Sequence, residues 1–91
     1  MRIDILCKPE NERRGERILA NVREALSEMD VRAEVHLFYD RRKMVDNRVY
    51  VAPALLIDDV VRIAGRIPEV REIKSFIVER PRYVERMREV A

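Results

Sequence analysis

Residues 51–68, which read VAPALLIDDVVRIAGRIP, decide the fold of this 91-residue chain. Two short apolar runs, Ala54–Ile57 and Val60–Ala64, are separated by only Asp58 and Asp59. Two such runs joined by two turn-forming residues predict a β-hairpin, because a two-residue turn matches the twist of antiparallel strands.

Glycine and prolines mark the ends of this hairpin. Pro53 stands directly before a strand that reads as central, where a proline requires a special reason such as a cis peptide bond in a tight turn. Gly65 ends the second strand, and Pro68 predicts the start of a helix with Glu69 and Glu72 in its first turn. The apolar face of that helix would consist of Val70, Ile73, Phe76 and Ile77.

The residues before the hairpin alternate between strand and helix patterns. Arg2–Cys7 predicts a strand, and the polar stretch 8–17 predicts a loop or a solvated first helical turn. Apolar residues at helical spacing predict a helix over 18–29, and alternation predicts a second strand over 33–39. A short helix over 41–46 would be capped by Asp40 and anchored by Met44, Val45 and Val49.

This order predicts an α/β fold, β-α-β-α-β-β-α, with a four-stranded mixed sheet flanked by helices. The first two strands are expected to be parallel, because a helix-length crossover joins them. Residues 1–78 would form the domain, and residues 79–91 a helical extension. Pro81 interrupts the preceding helix, and the short extra C-terminal helix would present Tyr83, Val84, Met87 and Val90 either to its own sheet or to another subunit.

Composition excludes several classes of protein. The 19 basic and 17 acidic residues leave a net charge of +2, which is too balanced to indicate a polyanion partner by itself. No apolar run is long enough for a membrane span, and no signal-like segment is present, so we expect a cytoplasmic protein. The charged fraction of 40% is typical of the surface ion-pair networks of thermophiles.

Cys7 is the chain's one cysteine, which excludes an intrachain disulfide and a multi-cysteine metal site. His36 shares a strand face with Glu34 but has no second histidine to complete a metal site, so we expect an ordinary edge-strand histidine, no metal and no cofactor. The basic clusters 13–17 and 41–43 are interspersed with carboxylates and lack interleaved aromatic residues. We therefore expect an ion-pair surface there and no nucleic-acid partner.

The order of elements, with a proline leading the third strand, resembles the thioredoxin fold. Within that fold the chain is most similar to the small archaeal and bacterial glutaredoxin-like proteins often labelled redox-active disulfide proteins. The resemblance rests on VAPALLID and VVRIAGRIPEVREIKSFI, and on NVREAL at residues 21–26. It implies that Pro53 is the family's cis-proline and that Gly65 and Pro68 form its strand-to-helix corner.

The first loop departs from that family. Active members carry two cysteines spaced CxxC there, and this chain has C-K-P-E at residues 7–10. Aligning Cys7 with the attacking cysteine puts Glu10 in place of the resolving thiol. Counting back from Asn21 instead puts the motif at residues 12–15, which contain no thiol. Both alignments remove two-cysteine oxidoreductase chemistry.

The sequence leaves two functions open. One is a binding module without dithiol chemistry, in which Ala52, Pro53, Lys8 and Pro9 would contact an extended protein or peptide. The other is a single-thiol redox protein, in which Cys7 forms mixed disulfides with a small thiol or a partner. The second requires a lowered pKa for Cys7, as expected just before a helix N-terminus. Either protein would be a monomer or a homodimer.

Overall fold

The structure, a computed structural model, describes residues 1–79. The predicted terminal helix with Tyr83, Val84, Met87 and Val90, and most of the extension 79–91, lie outside the described residues. Strands and helices follow one another in the predicted order: β1 (Arg2–Cys7), a short 3₁₀ helix (Pro9–Asn11), α1 (Glu12–Met29), β2 (Glu34–Tyr39), α2 (Arg41–Asp46), β3 (Ala54–Ile57), β4 (Val60–Ala64) and α3 (Val70–Val78).

The four strands form one mixed sheet in the order β2-β1-β3-β4. β1 is parallel to β2 and antiparallel to β3, and β3 is antiparallel to β4. This is the mixed α/β architecture that the sequence predicted. β1 and β3 are central, so their residues are buried on both faces, whereas β2 and β4 are edge strands.

The hairpin has the predicted bounds. Asp58 and Asp59 both adopt positive φ, at 48° and 67°, as the type I′ turn favoured between antiparallel strands requires. Leu55 pairs with Ile63 while Leu56 pairs with Val61, so one extra residue bulges out of β4. Such a bulge bends an exposed edge strand and discourages further pairing.

Helix α1 begins at Glu12, six residues before the predicted Ile18. Of the two alternatives predicted for residues 8–17, the solvated helical turn is therefore correct from Glu12 onward, because the charged residues of the first helical turns face solvent. The buried position in those turns is Gly15, which continues the stripe of Ile18, Val22 and Ala25. Because glycine has no apolar side chain, the helical periodicity of the buried residues was not visible before Ile18.

Helix α3 begins at Val70, so Pro68 does not open it. Glu69 is the extended N-cap residue, and its N–H donates to the Glu72 carboxylate at 3.1 Å. Pro68 is buried, and its carbonyl accepts a hydrogen bond from the side-chain amide of Asn21 at 2.9 Å. The corner between β4 and α3 is thereby attached to α1.

The sheet has a thickly covered face and a thinly covered face. α1 and α3 cover the first, where the core contains Ile3, Ile5, Cys7, Ile18, Val22, Ala25, Leu55, Ile57, Ile73 and Ile77. The six-residue α2 covers part of the second, over Leu6, Met44, Val49, Ala54 and Leu56. Across residues 1–79, every helix is too short or too polar to span a membrane.

Helix α2 is the predicted short helix, and its cap is the predicted one. The Asp40 carboxylate accepts hydrogen bonds from the backbone N–H groups of Arg42 and Lys43. Met44 is buried as expected, but Val45 is 58% exposed and does not anchor the helix. A single helical turn directs only one side of itself to the sheet, and the next residue in sequence points about 100° away from Met44.

Glu72→Gln should destabilise the protein at pH 7 and have progressively less effect in acid. Hydrogen bonds from Arg66, and then from the backbone of Glu69, lower the pKa of Glu72 from 4.5 to about 2. Between these values the unfolded chain binds the proton more readily, so the stabilisation is present above pH 4.5 and is lost as the pH falls towards 2. Urea midpoints of both proteins across this range test the prediction, and a pH-independent difference would contradict it.

Candidate binding site beside the proline loop

The cysteine lies in the core. Cys7 is the last residue of β1, has 0% exposed surface and belongs to the cluster beneath α1 and α3. The preceding residue, Leu6, points to the opposite face and packs under α2. The strand alternation therefore decides the direction of the sulfur, since neighbouring side chains leave a strand on opposite faces.

Gly15 closes the space above the sulfur. A Cβ atom on Gly15 would lie 3.0 Å from Cys7 Sγ and 3.0 Å from the Tyr39 hydroxyl oxygen. That hydroxyl donates to the Glu12 carbonyl at 3.1 Å and approaches the Glu16 carboxylate at 3.4 Å. Helix α1 is thus held close to the ends of β1 and β2, and Cys7 is covered from solvent.

This environment is unsuited to a reactive thiolate. Burial raises the pKa of Cys7 to about 11, because a buried sulfur loses the hydration that stabilises its charged form. The expected lowering of this pKa by a helix N-terminus is wrong. The sulfur lies beneath Gly15, on the inner side of the first turn of α1, where loss of hydration raises its pKa.

The position of α1 also bears on the two alignments of the first loop. Residues 12–15 form the first turn of α1, where the alignment from Asn21 puts the two-cysteine motif. Glu12 is exposed at the helix start, and Gly15 faces the core. The structure therefore favours this alignment, in which neither motif position carries a thiol and Cys7 belongs to the preceding strand.

The proline loop, residues 50–53, lies at the same end of the central strands as Cys7. The Ala52–Pro53 peptide bond is cis, and Ala54 pairs with Leu6 one residue before the end of β1. Pro53 is buried, and its carbonyl accepts a hydrogen bond from the N–H of Gly65 at 2.8 Å. Within residues 1–79, the backbone N–H and carbonyl of Ala52 make no hydrogen bond, which leaves them free to pair with another chain.

Apolar side chains are exposed immediately before this free backbone. Tyr50 is 72% exposed and Val51 is 57% exposed. Ala52 packs inward on the cluster of Met44 and Val49, so the loop is anchored while its outer side faces water. Exposed apolar residues grouped beside unpaired backbone are typical of a binding surface.

The predicted site residues divide into two groups. Lys8 and Tyr50 line one shallow groove, so Lys8 lies on the same side of the molecule as the proline loop that carries Ala52 and Pro53. Pro9 begins the 3₁₀ helix and faces a separate open depression along residues 9–14. Cys7 is excluded from both surfaces by its burial.

Tyr50, Val51 and Gly15 were not among the predicted site residues. A signal for the first two was present: apolar residues directly before Pro53 belong to neither strand of the hairpin, so nothing required their burial. For Gly15 the signal was its i, i+3, i+7 spacing with Ile18 and Val22.

His36 has the expected edge-strand position. It lies on β2, stacks on Phe38 with a ring-centroid distance of 5.8 Å, and places its Nε2 3.1 Å from a Glu34 carboxylate oxygen. Among residues 1–79, no group of three or more histidine, cysteine or acidic side chains is arranged to hold a metal ion.

The chain is similar to known proteins over most of its length. Residues 1–78 match a family model described as a thioredoxin domain. A protein named thioredoxin from Methanocaldococcus jannaschii is 37% identical over 55 residues, which are 60% of this chain and 63% of that protein. The match thus spans less than two thirds of the relative. No solved structure matches the chain significantly.

Gly15→Ala should lower the free energy of unfolding by about 1 kcal/mol, as an overpacking cost partly offset by the helix propensity of alanine. Cys7→Ala removes the sulfur that the new methyl group would meet. The new methyl group would still meet the Tyr39 hydroxyl, so the double variant should be more stable than the sum of the two single changes by only part of the overpacking cost, about 0.5 kcal/mol. Urea unfolding of the four proteins measures this coupling, and strictly additive changes would show that α1 does not rest on the sulfur.

Proposed function

Because this chain belongs to the thioredoxin domain family, we propose that it is a binding module of that fold, without dithiol chemistry. It would hold an extended polypeptide segment against the backbone of Ala52. A protein or peptide is the proposed partner, and the cytoplasm the proposed compartment, since a lone cysteine suits a reducing environment. The relationship to glutaredoxin-like redox proteins would then be one of descent of the scaffold alone.

One observation carries this proposal: the free backbone of Ala52 lies beside exposed Tyr50 and Val51, whereas Cys7 is buried. An extended peptide adds main-chain hydrogen bonds at such an edge, and alternate side chains of the peptide supply apolar contacts. Both kinds of contact are available here without a thiol. The proposed binding role therefore requires only the unpaired backbone of Ala52 and the exposed side chains of Tyr50 and Val51.

The alternative function, single-thiol redox chemistry, requires the Cys7 sulfur to be accessible. The Cys7 thiolate would attack one sulfur of a small disulfide, form a mixed disulfide and release the other half as a thiolate. A second thiol from solution would then attack the mixed disulfide and restore Cys7. Both steps require the sulfur to reach solvent, and Gly15 and Tyr39 cover it.

Labelling of Cys7 distinguishes the two functions. At pH 8 a pKa of about 11 leaves only about one thiolate in a thousand. We expect iodoacetamide to label the folded protein at least about a hundredfold more slowly than the urea-unfolded chain, whose thiol has an ordinary pKa. A fast reaction of the folded protein with a thiolate pKa near or below 7, or insulin reduction at the rate of a glutaredoxin, would favour the redox function.

Peptide binding is tested with a blocked hexapeptide of alternating serine and valine. Titration into ¹⁵N-labelled protein should shift the amide signals of residues 50–52. Val51→Ser should weaken binding, because it removes an apolar contact beside the paired backbone. Val78→Ser is the matched control, since Val78 is 54% exposed on α3, away from the loop.

A second version of the peptide tests the backbone contact itself. N-methylation of its central amide removes one donor, and binding should weaken by up to about tenfold, the value of one hydrogen bond. Equal effects of Val51→Ser and Val78→Ser, together with no effect of N-methylation, would contradict the proposed site.

A further inference from the structure

A shallow groove adjoins the proline loop on the thinly covered face of the sheet. It lies between the start of the 3₁₀ helix, α2 and the loop that follows α2, and its volume is about 150 Å³. Pockets for cofactors and drug-sized ligands have volumes of roughly 300–1,000 Å³. This groove is smaller, and its size suits one side chain of a bound segment. Its lining residues are Lys8, Arg41, Met44, Val45, Val49 and Tyr50.

The inside of the groove is apolar. Met44 and Val49 are buried and form part of the core cluster that also holds Ala52, while Val45 and Tyr50 are exposed. The groove therefore continues the apolar surface of the proline loop. An aliphatic side chain entering it would contact methyl and thioether groups and would cover surface that now faces water.

The mouth of the groove is positively charged. Arg41 forms an ion pair with Glu10, which holds α2 against the 3₁₀ helix. Lys8 makes no ion pair within residues 1–79. Three exposed residues next to lining residues in sequence, Arg42, Asp46 and Arg48, make none either. The expected ion-pair surface of residues 41–43 thus has an excess of positive charge: the basic residues at and beside the groove, Lys8, Arg41, Arg42, Lys43 and Arg48, outnumber the acidic Glu10, Asp40 and Asp46. This excess attracts anionic groups.

We propose that the segment bound at Ala52 is acidic: one of its aliphatic side chains fills the groove, and a neighbouring carboxylate pairs with the Lys8 ammonium group. This inference rests on the proposed function and specifies the chemistry of its partner. Single-stranded nucleic acid is the other polyanion that such a surface could attract. The aliphatic lining favours a peptide, because nucleic-acid binding of this kind uses successive aromatic platforms and the groove has Tyr50 alone.

Three blocked peptides test the proposal, each with the same central leucine and valines, flanked by glutamates, glutamines or lysines. We expect the glutamate peptide to bind about fivefold more tightly than the glutamine peptide, and the lysine peptide to bind most weakly, as one exposed ion pair allows. The difference should shrink as salt rises from 0.05 to about 0.5 M.

Lys8→Glu should reverse the order of the glutamate and lysine peptides. Arg23→Glu is the matched control: it makes the same change in net charge, but on α1, which covers the opposite face of the sheet. The control should leave the order unchanged, and circular dichroism establishes that both variants are folded. An order that Arg23→Glu changes as much as Lys8→Glu would assign the effect to net charge and overturn the proposal.

The outcomes separate this inference from the proposed function. If all three peptides bind equally and shift the amides of residues 50–52, the proposed function stands and the preference for acidic segments is wrong. If no peptide shifts those amides, both are wrong. If a ten-nucleotide oligothymidylate binds more tightly than the glutamate peptide and loses binding in Lys8→Glu, the surface serves nucleic acid and the inference is overturned.

Discussion

The close contact of helix α1 with the ends of β1 and β2 is the constraint on which the rest of the site depends. Gly15 permits it, because any side chain there would meet Cys7 Sγ and the Tyr39 hydroxyl at about 3 Å. The hydroxyl in turn binds the Glu12 carbonyl and fixes the first turn of the helix. Since the helix lies directly over the sulfur, the cysteine serves as a packed core residue.

The same arrangement separates two features that occur together in two-cysteine thioredoxin-like proteins. The loop beside Pro53 keeps an unpaired backbone at Ala52, but no thiol lies at the start of α1 to act on a bound segment. Glu12 occupies that exposed helical position instead. The proposed binding function would not require electron transfer, because binding needs only free backbone and apolar surface, whereas electron transfer needs an accessible sulfur of low pKa.

The thin cover of one sheet face explains where the proposed binding surface lies. Helix α2 is a six-residue helix, which buries Met44 but leaves Val45 in water. The loop that follows it returns to the sheet through Val49 and then exposes Tyr50. Helix α2 is too short to cover the apolar surface of Val45 and Tyr50. The short helix leaves a groove, and Lys8 and Arg41 are the charged residues that line it.

Local pattern was sufficient for most of the secondary structure. The hairpin was predictable to the residue, because its strands differ sharply from the Asp58–Asp59 turn, and the same holds for α2 with its Asp40 cap. The start of α1 was not predictable from apolar periodicity, since its buried residue is a glycine. Helix α3 starts two residues after Pro68, because Glu69 is extended and caps the helix together with Glu72.

By itself the sequence determined the order of elements, the absence of a second cysteine and the proline before β3, because each of these is a property of neighbouring residues or of composition. Tertiary structure decided that Cys7 is buried and that Tyr50 is exposed. Whether a side chain at a strand end faces water or the core depends on what packs over it. Helix α1 packs on Cys7, whereas little packs over Tyr50. Both outcomes depend on residues that are distant from each other in the chain.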